Sequence, residues 1–503
     1  MVVGLLGNNL HMVENMTAFP EVIPNFIDGK MGAASSGQLF GNINPHSGQE
    51  VCKVARSGSG DALLAIAAAK KAQAAWANMT SVARADIIRD IAFRMMERKS
   101  EIAEIVATES GKALPHALGE TQAAIEMGFF IAGEGRRNYG KTMGATMANR
   151  QVLTVRQPLG VAALIIASNT PIANVAWKAF PAMFCGNASI LKPSEDTPGT
   201  AWIFADICRE IGLPAGVLNV LQGLGAEAGM PLVESPQVDL VSFTGGHVTG
   251  SLINRVAGER LAKVCLELGG KNALTVCDDA DIDNAVQWAV ASAFSNAGQR
   301  CAAASRIVVF SSIYEKFKKK LINATNELSM GVGDTDFLGP VINEKQLDNM
   351  LSVVGKAKED GADVVIGGER VIKGQLQSGY YMQPTIVEKV SPDSQISQNE
   401  LFGPITCLYE VKDLNEAIEL VNNSEFGLTS SIHTNDINRA MEYSNKVQAG
   451  VIVVNGGTHG SEPHMGFGGL KNSGTGWREA GVEALDVYSD VKYINLITNP
   501  GKV

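Results

Sequence analysis

This sequence lacks the motifs that would point to a metal, a membrane or a nucleic acid. No C-x-x-C or H-E-x-x-H pair occurs, so no metal site is expected. No run of 18 apolar residues is free of charge, so no membrane span is expected. Basic residues are in deficit: 42 Lys and Arg against 52 Asp and Glu give a net charge of −10. No basic stripe is left to neutralise phosphates, which excludes nucleic acid as the expected partner. A strict G-x-G-x-x-G after a strand is also missing. "GLGAEAG" (223–229) is one residue too long and reads as a glycine turn. Residues 1–20 have no basic n-region, so they read as a loosely ordered extension rather than a signal peptide.

The bulk composition is that of a globular protein, 45% hydrophobic and 19% charged, and 503 residues suggest about three structural units. The seven cysteines are odd in number and irregularly spaced, and most lie in apolar runs such as "LAKVCLEL" and "ITCLYE". That is the pattern of reduced core thiols, and a cytoplasmic location is expected.

Helical and strand periodicities alternate. "DALLAIAAAKKAQAAWA" (61–77) reads as a helix, and 84–110 as two helices meeting near Lys99 and Ser100. "GVAALIIAS" (160–168) is a continuous apolar run, as in a strand buried on both faces. Short apolar strands at 188–194, 217–223 and 238–246 are separated by helical segments at 172–184, 199–212 and 228–235. This is the pattern of a doubly wound parallel sheet, with ligands at its C-terminal edge. A second alternating region runs from 304 to 457. Segments 147–158 and 484–497 read as strands outside both, suited to pairing with each other and to extending a sheet between subunits. "FTGGHVTG" (243–250) lies between a strand and a helix, where backbone N–H groups can face an anion.

One stretch raises a sharper question. In "FSNAGQRCAA" (294–303), Cys301 follows a turn-like Asn-Ala-Gly and a basic residue. Free cysteines are usually inert core residues, and a reactive one needs a special environment. No nearby His or Asp in the sequence suggests a protease-type dyad.

Seven stretches, "IIASNTP" (165–171), "LKPSEDTP" (191–198), "FTGG" (243–246), "LELGGKN" (266–272), "NAGQRC" (296–301), "ELFGP" (400–404) and "GFGGLKNSG" (466–474), resemble the motifs of the aldehyde dehydrogenase superfamily, in order and in spacing. The match runs from about residue 25 to 498. The resemblance implies an α/β fold: a Rossmann-like NAD-binding domain (21–146 and 160–268), a second α/β catalytic domain (269–483) and a small β oligomerisation element (147–159 and 484–500). It implies oxidation of an aldehyde to its acid. Cys301 matches the nucleophile that forms a thiohemiacetal and then a thioester. Asn169 matches the oxyanion donor, and Glu267 the base that activates water. Read without the family, Asn169 would be a helix cap and Glu267 a surface charge or salt-bridge partner.

Cofactor contacts carry over likewise. Lys192 and Glu195 match positions at the adenosine ribose, where a carboxylate favours NAD over NADP, which remains a weaker alternative. Gly245 and Gly246 match the turn beside the pyrophosphate, although the family commonly has Ser at 246. Glu400 and Phe402 match residues at the nicotinamide ribose and ring, and Lys178 and Glu479 match a proton-relay pair. The substrate pocket falls at Thr170, Asn174, Trp177, Arg300, His459 and Phe467. Its polar residues imply a polar aldehyde or semialdehyde, whereas Ala123, where many semialdehyde-oxidising relatives carry Arg, weighs against an acidic one. A homo-oligomer, dimer or tetramer, is implied. Two alternatives stand beside this reading: a coenzyme A-acylating relative, which needs no water-activating base, and a non-catalytic NAD-binding member.

Overall fold

A computed structural model of the chain describes residues 19–499. Most of residues 1–20 therefore lie outside the described residues. A seven-stranded sheet runs in the order Lys263–Leu268, Leu240–Gly245, Val161–Ile165, Ala188–Lys192, Leu218–Val220, Asn25–Ile27, Lys30–Gly32. Its first five strands are parallel, and the last two are antiparallel. The central strand shows why the run at 160–168 has no polar alternation. Ala162 and Leu164 enter one core with Ile88, Val175 and Phe204. Val161, Ala163 and Ile165 enter another with Ile66, Leu232 and Ile253. Both faces are covered by helices, so both residue sets are apolar.

The chain leaves this sheet at Leu268 and enters a second at Asn272. The second sheet also has seven strands: Asp363–Ile366, Thr385–Glu388, Ile405–Val411, Ala304–Phe310, Asn272–Val276, Thr429–His433 and Val451–Val454. Only the Asp363–Ile366 edge is antiparallel. The two helices expected over 84–110 are Ser81–Glu97 and Lys99–Ser110.

Strands Arg150–Pro158 and Ser489–Ile497 pair antiparallel over nine residues, from Ser489 opposite Pro158 to Ile497 opposite Arg150. The stretch read as a strand from 484 begins instead with a short helix, Ala484–Val487. Ala480, Leu485, Val487 and Tyr488 pack into the core of the first sheet, although the sequence reading placed 480–483 in the second domain. "GLGAEAG" does not form a simple turn: Gly225–Gly229 is one wide π-type turn leading into the helix Met230–Glu234. Three short strands, Val22–Ile23, Leu39–Asn44 and Gln49–Ala55, form a small sheet that the sequence did not reveal. All seven cysteines are free; six are buried and only Cys301 is partly exposed. Among the described residues, no helix is long and apolar enough to cross a membrane, and no cluster of His, Cys, Asp and Glu is placed to hold a metal ion.

Candidate active site

Cys301 is presented by a strained turn. After the helix Ile282–Phe294, three consecutive residues take left-handed backbone: Asn296 (φ 55°), Ala297 (φ 53°) and Gly298 (φ 67°). For Ala297 this costs about 1 kcal/mol. A Cβ on Gly298 would lie 2.1 Å from the carbonyl oxygen of Gly403, so only glycine fits there. The turn is held by its neighbours. Asn272 Nδ2 donates to the carbonyls of Cys301 (2.7 Å) and Ala303 (3.0 Å), and Thr458 Oγ1 donates to that of Ala302 (2.6 Å). The Gln299 side chain is fixed by Pro340 and Ile342. Burial, with Glu400 and Glu267 adding to it, pushes the Cys301 thiol up to about 12, against a smaller pull from Arg300.

Asn169 lies in the loop between Val161–Ile165 and the helix Pro171–Phe184. It is not the cap of that helix. Thr170 holds the cap position without a side-chain bond, and Glu120 Oε1 accepts from the N–H of Ile172 at 3.1 Å. The carbonyl oxygen of Asn169 accepts from Lys112 Nζ (2.9 Å) and from Asn296 Nδ2 (3.2 Å). Lys112 in turn pairs with Glu120 at 2.5 Å, both side chains at least nine-tenths covered. Asn174 is buried and turns its amide inward, toward Asn169 Oδ1 and Thr170 Oγ1 (both 3.4 Å) and the Ala167 carbonyl (3.3 Å). The Asn174 amide thus supports Asn169, whose own Nδ2 donates to no protein group among the described residues.

Glu267 is the penultimate residue of Lys263–Leu268, the edge strand of the first sheet. It is buried, and neither carboxylate oxygen has a hydrogen-bond partner. Burial and then the charge of Glu479 raise its pKa well above the ordinary carboxylate range, with Lys178 and Arg478 opposing. Beside it lies a buried polar cluster. Lys178 is ion-paired to Glu479 and donates to Ser242 Oγ (2.8 Å). Ser242 donates to Glu479 (3.0 Å) and accepts from Tyr488 (3.1 Å), and the Cys265 thiol donates to Glu479 (3.8 Å). Lys178 and Glu479 therefore meet as the sequence paired them, but Ser242, Cys265 and Tyr488 join them unannounced.

The parallel strands of the first sheet bring Lys192 and Gly245, two of the positions expected to meet the cofactor, to one sheet edge. Lys192 ends its strand, buried, with Nζ on the Pro193 carbonyl (2.5 Å) and 3.7 Å from the half-exposed carboxylate of Glu195. Gly245 ends the strand Leu240–Gly245, and Gly246 stands at the N-cap of the 13-residue helix His247–Glu259, where no side chain caps the helix. Glu400 accepts from the N–H of Gly270 (3.1 Å) and is pushed up to about 7 by burial. Any Cβ on Gly269 would strike its carboxylate at 1.8 Å. Phe402 also takes left-handed backbone, at φ 56°. Trp177 and Phe467 pack edge to face at 5.6 Å.

Fold and site together define an α/β protein of two large sheets with a partly exposed cysteine near Glu267 at the first sheet's C-terminal edge. The model of the aldehyde dehydrogenase family matches residues 32–494, and the chain belongs to that family. It is 37% identical to alpha-ketoglutaric semialdehyde dehydrogenase of Bacillus subtilis, over 93% of this chain and 97% of that one. It is 35% identical to the NADP(+) succinate-semialdehyde dehydrogenase of Escherichia coli, over 93% and 96%. The crystal structure of betaine aldehyde dehydrogenase from Staphylococcus aureus in complex with NAD+ superposes with a TM-score of 0.93 at 32% identity, covering 95% of each chain.

Lys112 and Glu120 went unnoticed in the sequence, although both sit within "GKALPHALGE" (111–120). Removing one partner of a buried ion pair costs about 3–5 kcal/mol. Lys112→Met is therefore expected to lower the thermal unfolding midpoint, and Lys112→Met with Glu120→Gln to recover part of that loss. A single variant as stable as the wild type would remove the pair from this supporting role.

Proposed function

We propose that the chain oxidises a polar aldehyde to its carboxylic acid with NAD, through a covalent intermediate on Cys301. The observation that carries this reading is that Cys301, Asn169 and Glu267, carried by three separate elements, each leave their reactive group uncommitted, while the charge of Glu267 reaches Cys301 and the Asn169 backbone is bonded to the turn before it. Cys301 Sγ is the partly exposed thiol, Asn169 Nδ2 is an unused donor, and Glu267 has two unpartnered carboxylate oxygens.

The thiolate of Cys301 adds to the aldehyde carbon and makes a thiohemiacetal. Asn169 Nδ2 donates to the oxyanion; Asn174 keeps its amide oriented and the Lys112–Glu120 pair holds its backbone. NAD, when bound, supplies the hydride acceptor. Glu267 then takes a proton from the water that attacks the thioester, which releases the acid and the Cys301 thiol. The Lys178–Ser242–Glu479 cluster lies beside Glu267 and offers a place to pass that proton on. A water-activating Glu267 favours hydrolysis over transfer to coenzyme A. The intact three-residue set also speaks against a non-catalytic binding protein.

For the cofactor, Lys192 and Glu195 suit the adenosine ribose, the open helix N-terminus at Gly246 suits the pyrophosphate, and Glu400 with Phe402 suits the nicotinamide half. A carboxylate at 195 repels a 2′-phosphate, so NAD is the preferred form. The paired strands at 150–158 and 489–497 leave Val155, Val491, Tyr493 and Ile497 exposed, an apolar edge suited to a homo-oligomer. Light scattering is expected to give a dimer or tetramer mass; a monomer would contradict this. Seven free cysteines suit a cytoplasmic enzyme, and the two large sheets suit two α/β domains, joined where the chain crosses from Leu268 to Asn272.

A panel of aldehydes with NAD, run with and without coenzyme A, tests the reaction. NADH is expected without coenzyme A, and Cys301→Ala is expected to abolish it while NAD binding persists. Turnover in that variant, or strict dependence on coenzyme A, would overturn the reading. The pH dependence has a definite sign. Cys301, pushed up to about 12, and Glu267, raised by burial, both act only after losing a proton. Turnover is thus expected to rise from about pH 6 to about pH 9, and a profile falling over that range would contradict the roles given to them.

A further inference from the structure

Tyr488 is a buried phenol that the mechanism above does not use. It stands just before the mostly exposed strand Ser489–Ile497, and its ring lies in the core of the first sheet with Ala162 and Leu164. Its backbone is pinned on both sides. Asn187 Nδ2 donates to the Tyr488 carbonyl (2.8 Å), and Asn187 Oδ1 accepts from the N–H groups of Leu159 (2.8 Å) and Gly160 (3.0 Å). Lys263 Nζ donates to the carbonyls of Asp486 (2.7 Å) and Ser489 (3.0 Å). The hydroxyl has one partner among the described residues, Ser242 Oγ at 3.1 Å. Burial, then the charge of Glu479, raises this phenol well above its usual range, so it keeps its proton and acts as the donor.

A serine hydroxyl has one proton to give and two lone pairs to fill. Lys178 Nζ fills one on Ser242 at 2.8 Å, and Tyr488 fills the other. The Ser242 proton then has one direction left, to Glu479 Oε1 at 3.0 Å. The same oxygen accepts from Lys178 and from the Cys265 thiol (3.8 Å), whereas no protein donor among the described residues holds Oε2. The Glu479 backbone is fixed too, by paired hydrogen bonds with Phe467 at 2.7 and 2.8 Å. Sheet geometry sets this cluster beside the base. Ser242 lies opposite Cys265 in the strand register, and Thr244 opposite Glu267. Cys265 and Glu267, two residues apart on one strand, share a face. Among the charges that act on Glu267, Glu479 comes first and Lys178 second.

We infer that Tyr488 is a positioning residue for thioester hydrolysis: through Ser242 it sets the Glu479 carboxylate that relieves Glu267 of the proton taken from water. This rests on the roles proposed above for Cys301 and Glu267 and adds a residue that acts through them. With the Tyr488 hydroxyl in place, Ser242 has no free lone pair and its proton stays on Glu479. Without it, the Ser242 hydroxyl is free to turn, and Glu479 Oε1 loses a fixed donor. The consequence falls on the step that moves a proton away from Glu267. Addition of the thiol to the aldehyde and transfer of hydride come earlier and do not pass through Glu479.

Tyr488→Phe keeps the ring in the core and removes only the hydroxyl. Wild type, Tyr488→Phe, Ser242→Ala and the double variant are mixed with NAD and the best substrate of the aldehyde panel. First-turnover NADH is followed by absorbance, and the acyl adduct on Cys301 by quenched mass spectrometry. Loss of one hydrogen bond in the relay is expected to slow adduct decay about five-fold in Tyr488→Phe. First-turnover NADH formation is expected to stay within about two-fold of wild type, so that kcat and the aldehyde KM fall together and kcat/KM is kept. Because Tyr488 acts through Ser242, the double variant is expected to decay no more slowly than Ser242→Ala alone. Unchanged decay in Tyr488→Phe, equal slowing of the first turnover, or a double variant that multiplies the two single effects would overturn the inference. Should Tyr488→Phe not fold, unchanged decay in Ser242→Ala would overturn it as well. NADH formation with no adduct on Cys301 in any of these variants, nor in Glu267→Gln, would instead overturn the covalent chemistry beneath it.

Discussion

The backbone carbonyl of Asn169 is the joint on which the site depends. It accepts from Lys112 on one side and from Asn296 on the other. Asn169 belongs to the loop after a central strand of the first sheet, and Asn296 belongs to the left-handed turn that presents Cys301 next to the second. One oxygen therefore ties the proposed oxyanion donor to the proposed nucleophile. Left-handed backbone at Asn296 and Ala297 is unfavourable alone and persists only where the surroundings over-determine it. Here they do so through Asn272, Gln299 and Thr458, as well as through Asn169.

Electrostatics completes the arrangement. Glu267, Glu400 and the Cys301 thiol are all raised by burial, so each is held toward its protonated form until something takes the proton or the charge is met. Lys178 and Lys271 place positive charge beside the two carboxyls, with Lys271 itself lowered to about 8 by burial. Such crowding of titratable groups with shifted pKa values is what acid–base work near neutral pH requires. It also separates Cys301, the partly exposed thiol, from the six other cysteines, which are buried, Cys265 among them as a donor to Glu479.

Much of this was legible in the sequence. The parallel strands were readable because burial on both faces removes polar alternation, as at Val161–Ile165. The strands at 150–158 and 489–497 were readable as partners outside the main sheets, and their pairing follows. Cys301 alone was ambiguous, and only its company with "IIASNTP" and "LELGG" singled it out. What stayed hidden has physical reasons. Lys112 and Glu120 look like solvent-facing charges until the fold buries them against each other. The contact of Asn174 with Asn169 stayed hidden because a sequence does not say which way a helix turns its polar side chains. The small sheet at 22–55 has short, half-exposed strands with little periodicity, and Ala484–Val487 is too short to show any.

The central claim is that Glu267 hydrolyses a thioester formed on Cys301. The direct measurement is intact-protein mass spectrometry of Glu267→Gln, quenched after mixing with NAD and an aldehyde that the wild type oxidises. The account predicts one NADH per site in a fast phase, a mass increase equal to the acyl group mapping to Cys301, and slow decay of that adduct. Rapid steady turnover without an adduct, or an adduct on another residue, would contradict it.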